Sequence, residues 1–419
     1  MDKFVIEGPA RLHGEVAISG AKNAALPCLA AALLTAEPVR LTNLPNVADI
    51  RTLRKLLQHI GASVETEGDG TAATIETRQI GSADAPYELV KTMRASVLVL
   101  GPLLARSGSV RVSLPGGCAI GVRPINLHLA AFEKLGAEVR LDHGYVEARA
   151  ARLAGTEIVF DTVTVTGTEN VMLAATLARG TTRLVNAARE PEVANLAQML
   201  NAMGARIAGS GTETIVIEGV EALHGIEHPI IPDRIEAGTY ALAAAATRGD
   251  VAVRRCAPDH LTALTTRLTA TGVRVEASED TLRVRANGRL QSHDVATAPY
   301  PGFPTDLQAQ WMALAAGMEG VATITETIFK NRFQHVAELV RMGARIRLEG
   351  RWAVVEGPSR LTGAKVMASD LRASAALAIA ALTAEGETTI DRVYHLDRGY
   401  ERMEEKLKGL GARVRRVKG

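Results

Sequence analysis

A five-residue phrase with glycine at its second position recurs six times along the chain. The copies are Ile60-Gly61-Ala62-Ser63-Val64, Leu135-Gly136-Ala137-Glu138-Val139, Met203-Gly204-Ala205-Arg206-Ile207, Thr271-Gly272-Val273-Arg274-Val275, Met342-Gly343-Ala344-Arg345-Ile346 and Leu410-Gly411-Ala412-Arg413-Val414. Successive glycines are 75, 68, 68, 71 and 68 residues apart. Near-constant spacing of this kind is typical of a repeated supersecondary unit. The sequence therefore predicts six copies of one unit.

Each phrase joins an amphipathic helix to a strand. Before Gly136, for example, Leu127, Ala130, Ala131 and Leu135 follow helical spacing, and the glycine is placed to end the helix. An earlier helix in each unit is apolar nearly all round, so we expect it to be buried. These six helices are predicted at Leu26 to Leu34, Val97 to Leu104, Val171 to Leu177, Tyr240 to Ala246, Leu307 to Ala316 and Ala373 to Leu382. The unit reads helix, strand, helix, strand, strand.

The last strand of the unit is visible in five copies. It is predicted at Ala73 to Glu76, Gly144 to Glu147, Thr214 to Glu218, Leu282 to Val284 and Trp352 to Glu356. No such strand follows Val414, whereas Lys3 to Gly8 has the same character with no unit before it. We therefore predict that the N-terminal strand completes the last unit.

Six units in a chain of 419 residues suit two lobes of three. The predicted class is α/β, with a C-terminal lobe formed by residues 1–20 plus 231–419. Residues 21–230 would form an N-terminal lobe that carries Cys118. The alternative is a solenoid of six stacked units, which is disfavoured because solenoids rarely pair the N-terminus with the last repeat.

Composition excludes several functional classes. The chain has 48 Lys and Arg against 46 Asp and Glu, a net charge of +2, which gives no drive toward nucleic acid or membrane. Cys28, Cys118 and Cys256 show no CxxC and no His/Cys ligand spacing, so neither a disulfide framework nor a metal site is indicated. Residues 1–7 lack a signal-peptide core, and apolar runs are too short to span a bilayer. We expect a soluble cytoplasmic protein without a metal or other cofactor.

Cys118 lies in the segment Pro115-Gly116-Gly117-Cys118-Ala119-Ile120-Gly121-Val122-Arg123-Pro124. Glycines permit backbone conformations that other residues avoid, and prolines restrict the ends. A reactive thiol needs an exposed, electropositive setting, which this loop with Arg123 could supply. An incidental cysteine in a surface turn is the competing interpretation.

Charged residues collect at two places in the unit. One is the start of the buried helix, with Lys22-Asn23, Lys91 and Arg94, Thr168-Glu169-Asn170, Asp233-Arg234, Thr305-Asp306, and Asp370 with Arg372. The other is the loop after the first strand, with Cys118 and Arg123, Arg189-Glu190-Pro191-Glu192, Asp259, Lys330-Asn331-Arg332, and His395-Leu396-Asp397-Arg398. Similar packing of the units would cluster these positions at corresponding ends of both lobes.

Six of these residues are cations that would then face one another across a cleft: Lys22, Arg94, Arg123, Arg332, Arg372 and Arg398. So many like charges call for a bound anion, and arginine forks suit carboxylate and phosphate oxygens. Asp306 follows the turn Pro301-Gly302-Phe303-Pro304, which would present it either as a general base or as an ordinary helix cap. P-loop, zincin and serine-hydrolase motifs are absent from the sequence.

With these residues in view, the chain resembles the enolpyruvyl transferases that begin peptidoglycan precursor synthesis. The matching stretches are Ser19 to Pro27, Met93 to Ser96, Leu114 to Pro124, Ala188 to Glu192, Gly302 to Gln310, Asn331 to Phe333 and His395 to Glu401. They cover the whole chain in family order. The Cys118 segment together with Gly302-Phe303-Pro304-Thr305-Asp306 is nearly diagnostic.

The resemblance implies a fold of two lobes, each an inverted α/β barrel of three β-α-β-α-β-β units. It also implies transfer of enolpyruvate from phosphoenolpyruvate to the 3-hydroxyl of UDP-N-acetylglucosamine, with release of phosphate and without a cofactor. Cys118 would be the proton donor and the residue alkylated by fosfomycin, and Asp306 would be the base. Phosphoenolpyruvate would be held by Lys22, Arg123 and Arg398 at its phosphate, and by Arg332 and Arg372 at its carboxylate.

The sugar nucleotide would contact Asn23, Arg94, Arg123, Pro124, Ile125, Asn126, Leu127, Thr164, Val165, Thr166, Asp306 and Ile328. Two departures from the family pattern fall on this side. The segment Val163-Thr164-Val165-Thr166-Gly167-Thr168 resembles a family pattern in which Ser-Val-Gly-Ala is more usual, and Asn126 stands where the family often has Asp beside the uracil.

Three other functions were weighed. The shikimate-pathway enolpyruvyl transferase shares the fold and the donor, but the Cys118 segment argues against it. RNA 3'-phosphate cyclases contain related units, but the near-neutral charge argues against nucleic acid as a partner. A silent sugar-nucleotide-binding paralogue is disfavoured because Lys22, Cys118, Asp306 and Arg398 are all present.

Overall fold

The computed structural model describes residues 2–91, 93–114 and 125–418; Cys118, Arg123 and Pro124 lie outside the described residues. The chain divides into two compact units. The C-terminal unit is made of residues 2–19 and 232–418, and the N-terminal unit of the described residues between 20 and 231. Each unit has its own hydrophobic core.

The helices begin and end as follows: α1 Lys22–Ala31, α2 Ala48–Ile60, α3 Tyr87–Val90, α4 Leu100–Ser107, α5 Asn126–Lys134, α6 Val165–Ala175, α7 Pro191–Ala202, α8 Arg234–Ala246, α9 Thr262–Ala270, α10 Gln308–Ala315, α11 Val336–Arg341, α12 Leu371–Thr383 and α13 Met403–Gly409. Short 3-10 helices span Ala32–Leu34, Arg94–Val99, Pro258–Leu261, Thr305–Leu307 and Val393–Arg398.

The strands are β1 Lys3–Gly8, β2 His13–Ala17, β3 Val39–Thr42, β4 Ser63–Glu67, β5 Ala72–Glu76, β6 Asp84–Ala85, β7 Ser109–Ser113, β8 Glu138–Asp142, β9 Tyr145–Arg149, β10 Glu157–Val159, β11 Thr181–Val185, β12 Arg206–Ala208, β13 Thr214–Glu218, β14 Glu227–Pro229, β15 Asp250–Arg254, β16 Arg274–Ala277, β17 Thr281–Arg285, β18 Val295–Ala296, β19 Gly320–Thr325, β20 Arg345–Glu349, β21 Trp352–Gly357, β22 Lys365–Met367, β23 Gly386–Asp391 and β24 Arg413–Val417.

The strands form six four-stranded sheets among the described residues, so each predicted unit has one sheet. The N-terminal unit holds the orders β14-β3-β5-β4, β6-β7-β9-β8 and β10-β11-β13-β12. The C-terminal unit holds β16-β17-β15-β2, β18-β19-β21-β20 and β22-β23-β1-β24. In every sheet one edge strand pairs in parallel and the remaining pairs are antiparallel. This pattern confirms the expected β-α-β-α-β-β unit.

The predicted pairing of the N-terminal strand with the last unit is confirmed. Strand β1 lies between β23 and β24, antiparallel to both, with Ile6 opposite Thr388 on one side and Val414 on the other. Phe4 and Ile6 point into the core, where both are fully buried. The strand thus occupies the inner position that β5, β9, β13, β17 and β21 occupy in the other sheets.

The alanine-rich helices are buried as predicted. In the C-terminal unit α8, α10 and α12 pack against one another, and α12 alone buries every residue from Arg372 to Leu382. In the N-terminal unit α1, α4 and α6 fill the same role together with the helical turn Arg94–Val99. Small side chains let these helices approach closely while the sheets cover them outside. No helix among the described residues is long and apolar enough to cross a membrane.

All six glycines of the recurring phrase adopt a positive φ, between 92° and 114°. Each follows an outer helix within two residues and precedes a strand, as in α2, Gly61 and β4. Glycine adopts this conformation without a Cβ clash, so the phrase is a helix-ending signal repeated six times.

Candidate active site

Asp306 lies between two arginines in the C-terminal unit. Its Oδ1 accepts a hydrogen bond from Nη2 of Arg332 at 2.7 Å, and its Oδ2 accepts from Nη2 and Nε of Arg372 at 2.7 and 3.1 Å. Both arginine side chains are only 5 % exposed, whereas Asp306 retains 26 %. Both carboxylate oxygens of Asp306 therefore accept hydrogen bonds from guanidinium groups, and the side chain does not cap a helix.

The two guanidinium charges control the acidity of Asp306. Burial alone would raise the pKa of this carboxyl, but the charges of Arg372 and Arg332 outweigh burial and hold the pKa well below its usual range. A carboxylate of such low pKa is a weak base.

The elements that carry these residues meet at one end of the buried helices. Asp306 is in the 3-10 turn before α10, Arg372 is in the first turn of α12, and Arg332 is in the loop after β19. Asp370 caps α12 by accepting from the backbone N–H groups of Arg372 and Ala373 at 2.9 and 3.0 Å. A capped helix start fixes the direction in which Arg372 leaves the backbone.

Arg398 belongs to the same end of the C-terminal unit. It closes the 3-10 turn Val393–Arg398 and is half-buried. Burial and then the charge of Arg398 lower the pKa of His395, while Asp370 acts in the opposite direction. His335 is also buried, and its pKa falls to about 4 through burial, opposed by Asp370 and assisted by Arg332. Both imidazoles are therefore neutral at neutral pH.

The N-terminal unit brings a second group of predicted residues together. Lys22, at the start of α1, donates to Oδ2 of Asp49 on α2 at 3.1 Å, and both side chains are largely buried. Asn23 follows on the same helical turn and is half-buried. The expected surplus of uncompensated cations is therefore wrong in part, because protein carboxylates pair with Lys22, Arg332 and Arg372.

A buried histidine links the residues predicted for the sugar nucleotide. His128 on α5 has its Nε2 3.4 Å from Oγ1 of Thr166, while its Nδ1 lies 3.1 Å from Nδ2 of Asn170. Burial and then the charge of Arg94 lower its pKa to about 3. Arg94, Thr166 and α5 with Asn126 and Leu127 are thus neighbours. Thr164 caps α6 by accepting from the N–H of Gly167 at 3.2 Å.

Three residues near these sites were missed from the sequence. Asp49 and His128 each sit inside an ordinary amphipathic helix pattern, where a polar residue reads as a solvent-facing one. Glu326 follows β19 and is 1 % exposed. The signal that could have found it is the run Thr325-Glu326-Thr327, a carboxylate among hydroxyls beside the predicted contact Ile328. Ile328 itself is exposed at the surface.

In the part of the chain that the structure describes, no three His, Cys, Asp or Glu side chains converge as ligands. The clustered groups are instead guanidinium, ammonium, imidazole and carboxylate. Such a set binds anions and moves protons.

Comparisons with known proteins agree on one family. The family model described as EPSP synthase (3-phosphoshikimate 1-carboxyvinyltransferase) matches residues 6–407. A protein of Koribacter versatilis named UDP-N-acetylglucosamine 1-carboxyvinyltransferase is 60% identical over 420 residues, covering 100% of this chain and 97% of its own. One of the same name from Solibacter usitatus is 60% identical over 419 residues, covering 100% of both chains.

Solved structures show the same fold. The enolpyruvyl transferase NikO from Streptomyces tendae superposes with a TM-score of 0.91 at 29% identity, over 100% of this chain and 99% of its own. EPSP synthase from Acinetobacter baumannii superposes with a TM-score of 0.78 at 18% identity, over 100% of both chains. At 18% identity, the similarity to EPSP synthase shows the fold alone.

Proposed function

The chain belongs to the EPSP synthase family of enolpyruvyl transferases, and we propose that it transfers the enolpyruvyl group of phosphoenolpyruvate to the 3-hydroxyl of UDP-N-acetylglucosamine in peptidoglycan precursor synthesis. The sugar nucleotide is favoured as acceptor because relatives 60% identical over the whole chain carry that activity in their names. The likeness to EPSP synthase, at 18% identity, supports no choice of acceptor. The proposed compartment is the cytoplasm.

The contact between Asp306 and its two arginines carries this proposal. Arg332 and Arg372 present two buried guanidinium groups to one carboxylate, which is the arrangement that would also receive the carboxylate of phosphoenolpyruvate. When the donor's carboxylate takes both arginines, Asp306 loses the charges that depress its pKa. Its basicity then rises as the donor arrives, so binding and activation of the base are coupled.

The reaction proceeds by addition and elimination. Asp306 accepts the proton of the sugar hydroxyl while the oxygen bonds to C2 of phosphoenolpyruvate and a proton from Cys118 is added to C3. In the second step C3 gives up one proton to the thiolate that Cys118 has become, the double bond re-forms, and the bond from C2 to the phosphate oxygen breaks as Asp306 returns its proton to the leaving phosphate. Inorganic phosphate leaves, and the enolpyruvyl group remains on the sugar. One acid and one base suffice for each step.

The remaining residues bind the charged ends of the substrates. Lys22, Arg123 and Arg398 hold the phosphate of phosphoenolpyruvate. Arg94, Thr166 and α5 take up the sugar nucleotide, with the neutral His128 as a hydrogen-bonding partner rather than as a third positive charge. Asn23 and Ile328 complete these contacts in the proposed complex.

An assay of phosphate release tests the proposal. Purified protein with phosphoenolpyruvate should release phosphate when UDP-N-acetylglucosamine is added, and should not when shikimate 3-phosphate is added instead. Release with shikimate 3-phosphate would assign the chain to the other branch of its family. Binding of UDP-N-acetylglucosamine without any release would favour a silent paralogue.

Cys118 is tested separately by replacement. A carboxyl whose pKa is raised can still donate a proton, whereas a serine hydroxyl is too weak an acid. Cys118→Asp should therefore retain turnover, shift the optimum to lower pH and resist fosfomycin, while Cys118→Ser should lose most turnover. Equal turnover and equal pH profiles of the two variants would remove Cys118 from proton transfer.

A further inference from the structure

We infer that Glu326 and Thr305 are positioning residues that hold Arg332 in place for the donor's carboxylate. The inference rests on the proposed function and concerns two residues that need not touch either substrate. Thr305 precedes Asp306 in the chain, and Glu326 lies at the end of β19. Together they connect the strand to the guanidinium group of Arg332.

The connection is a chain of hydrogen bonds with a defined direction. Nη1 of Arg332 donates to Oγ1 of Thr305 at 2.9 Å, and the Thr305 hydroxyl donates to Oε2 of Glu326 at 2.8 Å. Arginine can only donate and a carboxylate oxygen accepts, so a hydroxyl is the group that can stand between them. Because the Thr305 hydroxyl donates its hydrogen bond to Glu326, a lone pair of the hydroxyl oxygen is left to accept from Arg332.

Glu326 is itself held rigidly. Its Oε1 accepts from the Thr297 hydroxyl at 3.0 Å and from the backbone N–H groups of Ile328 and Phe329 at 2.8 and 3.1 Å. The side chain is buried, so these bonds are shielded from water and strengthened accordingly. The carboxylate therefore forms a fixed point from which the Thr305 hydroxyl is aimed.

The chain matters most when Asp306 acts as the base. In the structure Arg332 bonds to both Asp306 and Thr305. Once Asp306 turns to the sugar hydroxyl, Thr305 still holds Nη1 and leaves Nη2 directed toward the donor. Without that hold, a buried guanidinium group would follow Asp306 or swing away, and the donor would bind in a poorer orientation.

The same carboxylate also reaches the sugar-nucleotide side. Its bonds to the N–H groups of Ile328 and Phe329 shape the turn that carries Ile328, a proposed nucleotide contact. The Thr305 hydroxyl, by contrast, bonds to Glu326 and Arg332. The two residues should therefore differ in one respect: Glu326 affects binding of both substrates, and Thr305 affects the donor alone.

Substitutions in the full-length protein test the chain. Thr305→Val removes the hydroxyl at nearly constant shape, and Thr305→Ser restores it. Loss of a hydrogen bond to a charged group should lower kcat/KM for phosphoenolpyruvate about tenfold in Thr305→Val. Thr305→Ser should stay within about threefold of the unmodified protein, and the dissociation constant of UDP-N-acetylglucosamine by calorimetry should change less than about twofold in both.

Glu326→Gln and the double variant complete a cycle. Glu326→Gln should lower kcat/KM for phosphoenolpyruvate about tenfold and also weaken sugar-nucleotide binding. The kcat/KM of the double variant should lie within about twofold of that of Glu326→Gln, because both changes break the same chain of hydrogen bonds. If the two losses multiplied, so that kcat/KM of the double variant fell about a hundredfold, the inference would be overturned. It would also be overturned if Thr305→Ser were as impaired as Thr305→Val.

Matched controls come from the same unit. Glu385→Gln breaks an exposed pair with Arg360, and Thr383→Val removes a hydroxyl that bonds within α12. Both should leave kcat/KM unchanged. A crystal structure of ligand-free Thr305→Val gives a readout independent of activity: Nη1 of Arg332 should leave its position against residue 305 there, with Asp306 alone holding the guanidinium group, and should keep that position in Thr305→Ser. If the unmodified protein releases no phosphate, the proposed function fails while the position of Arg332 still decides this inference.

Discussion

At the residue scale, charge pairing inside each unit is the main feature of the site. Asp306 pairs with Arg332 and Arg372 in one unit, and Lys22 pairs with Asp49 in the other. Under the proposed function, a substrate carboxylate or phosphate would therefore exchange with a protein carboxylate at these cations. Such exchange favours anions that offer two acceptor oxygens in a plane.

Replacement of Asp306 by Asn should separate catalysis from binding. The amide keeps the shape of the side chain but cannot accept the proton of the sugar hydroxyl. Turnover should fall by roughly 10²–10⁴-fold, as is usual on loss of a general base. The dissociation constant of UDP-N-acetylglucosamine, measured by calorimetry, should stay within about tenfold. Turnover near that of the unmodified protein would exclude Asp306 as the base.

His128 should make stability depend on pH. Its pKa is about 3 in the folded protein, below the ordinary value of 6.5, so the unfolded chain binds the proton more tightly. Stability from this group is therefore complete above pH 6.5 and falls as the pH decreases toward 3. Between about pH 7.5 and about pH 5 the free energy of unfolding should drop by roughly 2 kcal/mol on its account.

His128→Asn isolates that contribution. The variant loses the contacts to Thr166 and Asn170 and should be less stable at every pH, but its free energy of unfolding should vary less with pH. Urea unfolding followed by circular dichroism at the two pH values measures the difference. Parallel pH profiles of the two proteins would show that His128 titrates normally.

At the element scale, the six helix-ending glycines should be unequal in their tolerance of a side chain. Gly272 and Gly343 have nearly the same φ, 96° and 101°. A Cβ on Gly272 would meet nothing within 4 Å, whereas one on Gly343 would lie 3.0 Å from the carbonyl oxygen of Arg360. Backbone strain is common to both sites, and steric conflict applies to Gly343 alone.

Alanine at these two glycines should therefore give a graded loss. Gly272→Ala should lower the free energy of unfolding by about 1–2 kcal/mol from the left-handed backbone alone. Gly343→Ala should cost clearly more, because a backbone carbonyl cannot move aside as a flexible side chain can. Urea unfolding of both variants measures the difference, and equal losses would mean that the loop backbone at Arg360 moves to make room for the added methyl group.

At the scale of the whole molecule, the C-terminal unit depends on the most distant part of the chain. Strand β1 supplies an inner strand to a sheet whose other members begin at Lys365. Its partners are more than 350 residues away along the sequence, as the pair Ile6 and Thr388 shows. Loop closure over such a distance is entropically costly, so the contacts made by β1 must be strong.

Ile6→Ala should weaken the C-terminal unit, and Val5→Ala should not. Ile6 is fully buried between β23 and β24, whereas Val5 faces the other side of the sheet and is half-buried. Truncation of a buried isoleucine costs about 2–5 kcal/mol. Trp311 and Trp352 are the two tryptophans of the chain and both lie in this unit, so their fluorescence in urea reports its unfolding. Equal midpoints for the two variants would contradict a structural role of β1.

The repeated unit, its order of helices and strands, and the completion of the last sheet by the N-terminal strand were determined by the sequence alone. The periodicity of apolar residues and the helix-ending glycines are local signals. Because they recur six times, the assignment of helices and strands to the unit leaves little ambiguity. Asp306, Arg332 and Arg372 were also identified there, as was the enolpyruvyl transferase resemblance that residues 6–407 bear out. Their roles in catalysis stay predictions.

Only the tertiary structure decided which charges neutralise one another. Asp49, His128 and Glu326 occupy positions that read locally as solvent-facing, yet each is buried against a residue far away in sequence or in another element. The pairing of Asp306 with Arg332 and Arg372, and the chain from Arg332 through Thr305 to Glu326, arise where separate helices and strands of one unit meet. The physical reason is that periodicity reports which face of an element is apolar, whereas a pKa and a hydrogen-bond direction depend on groups that the fold brings within a few ångströms.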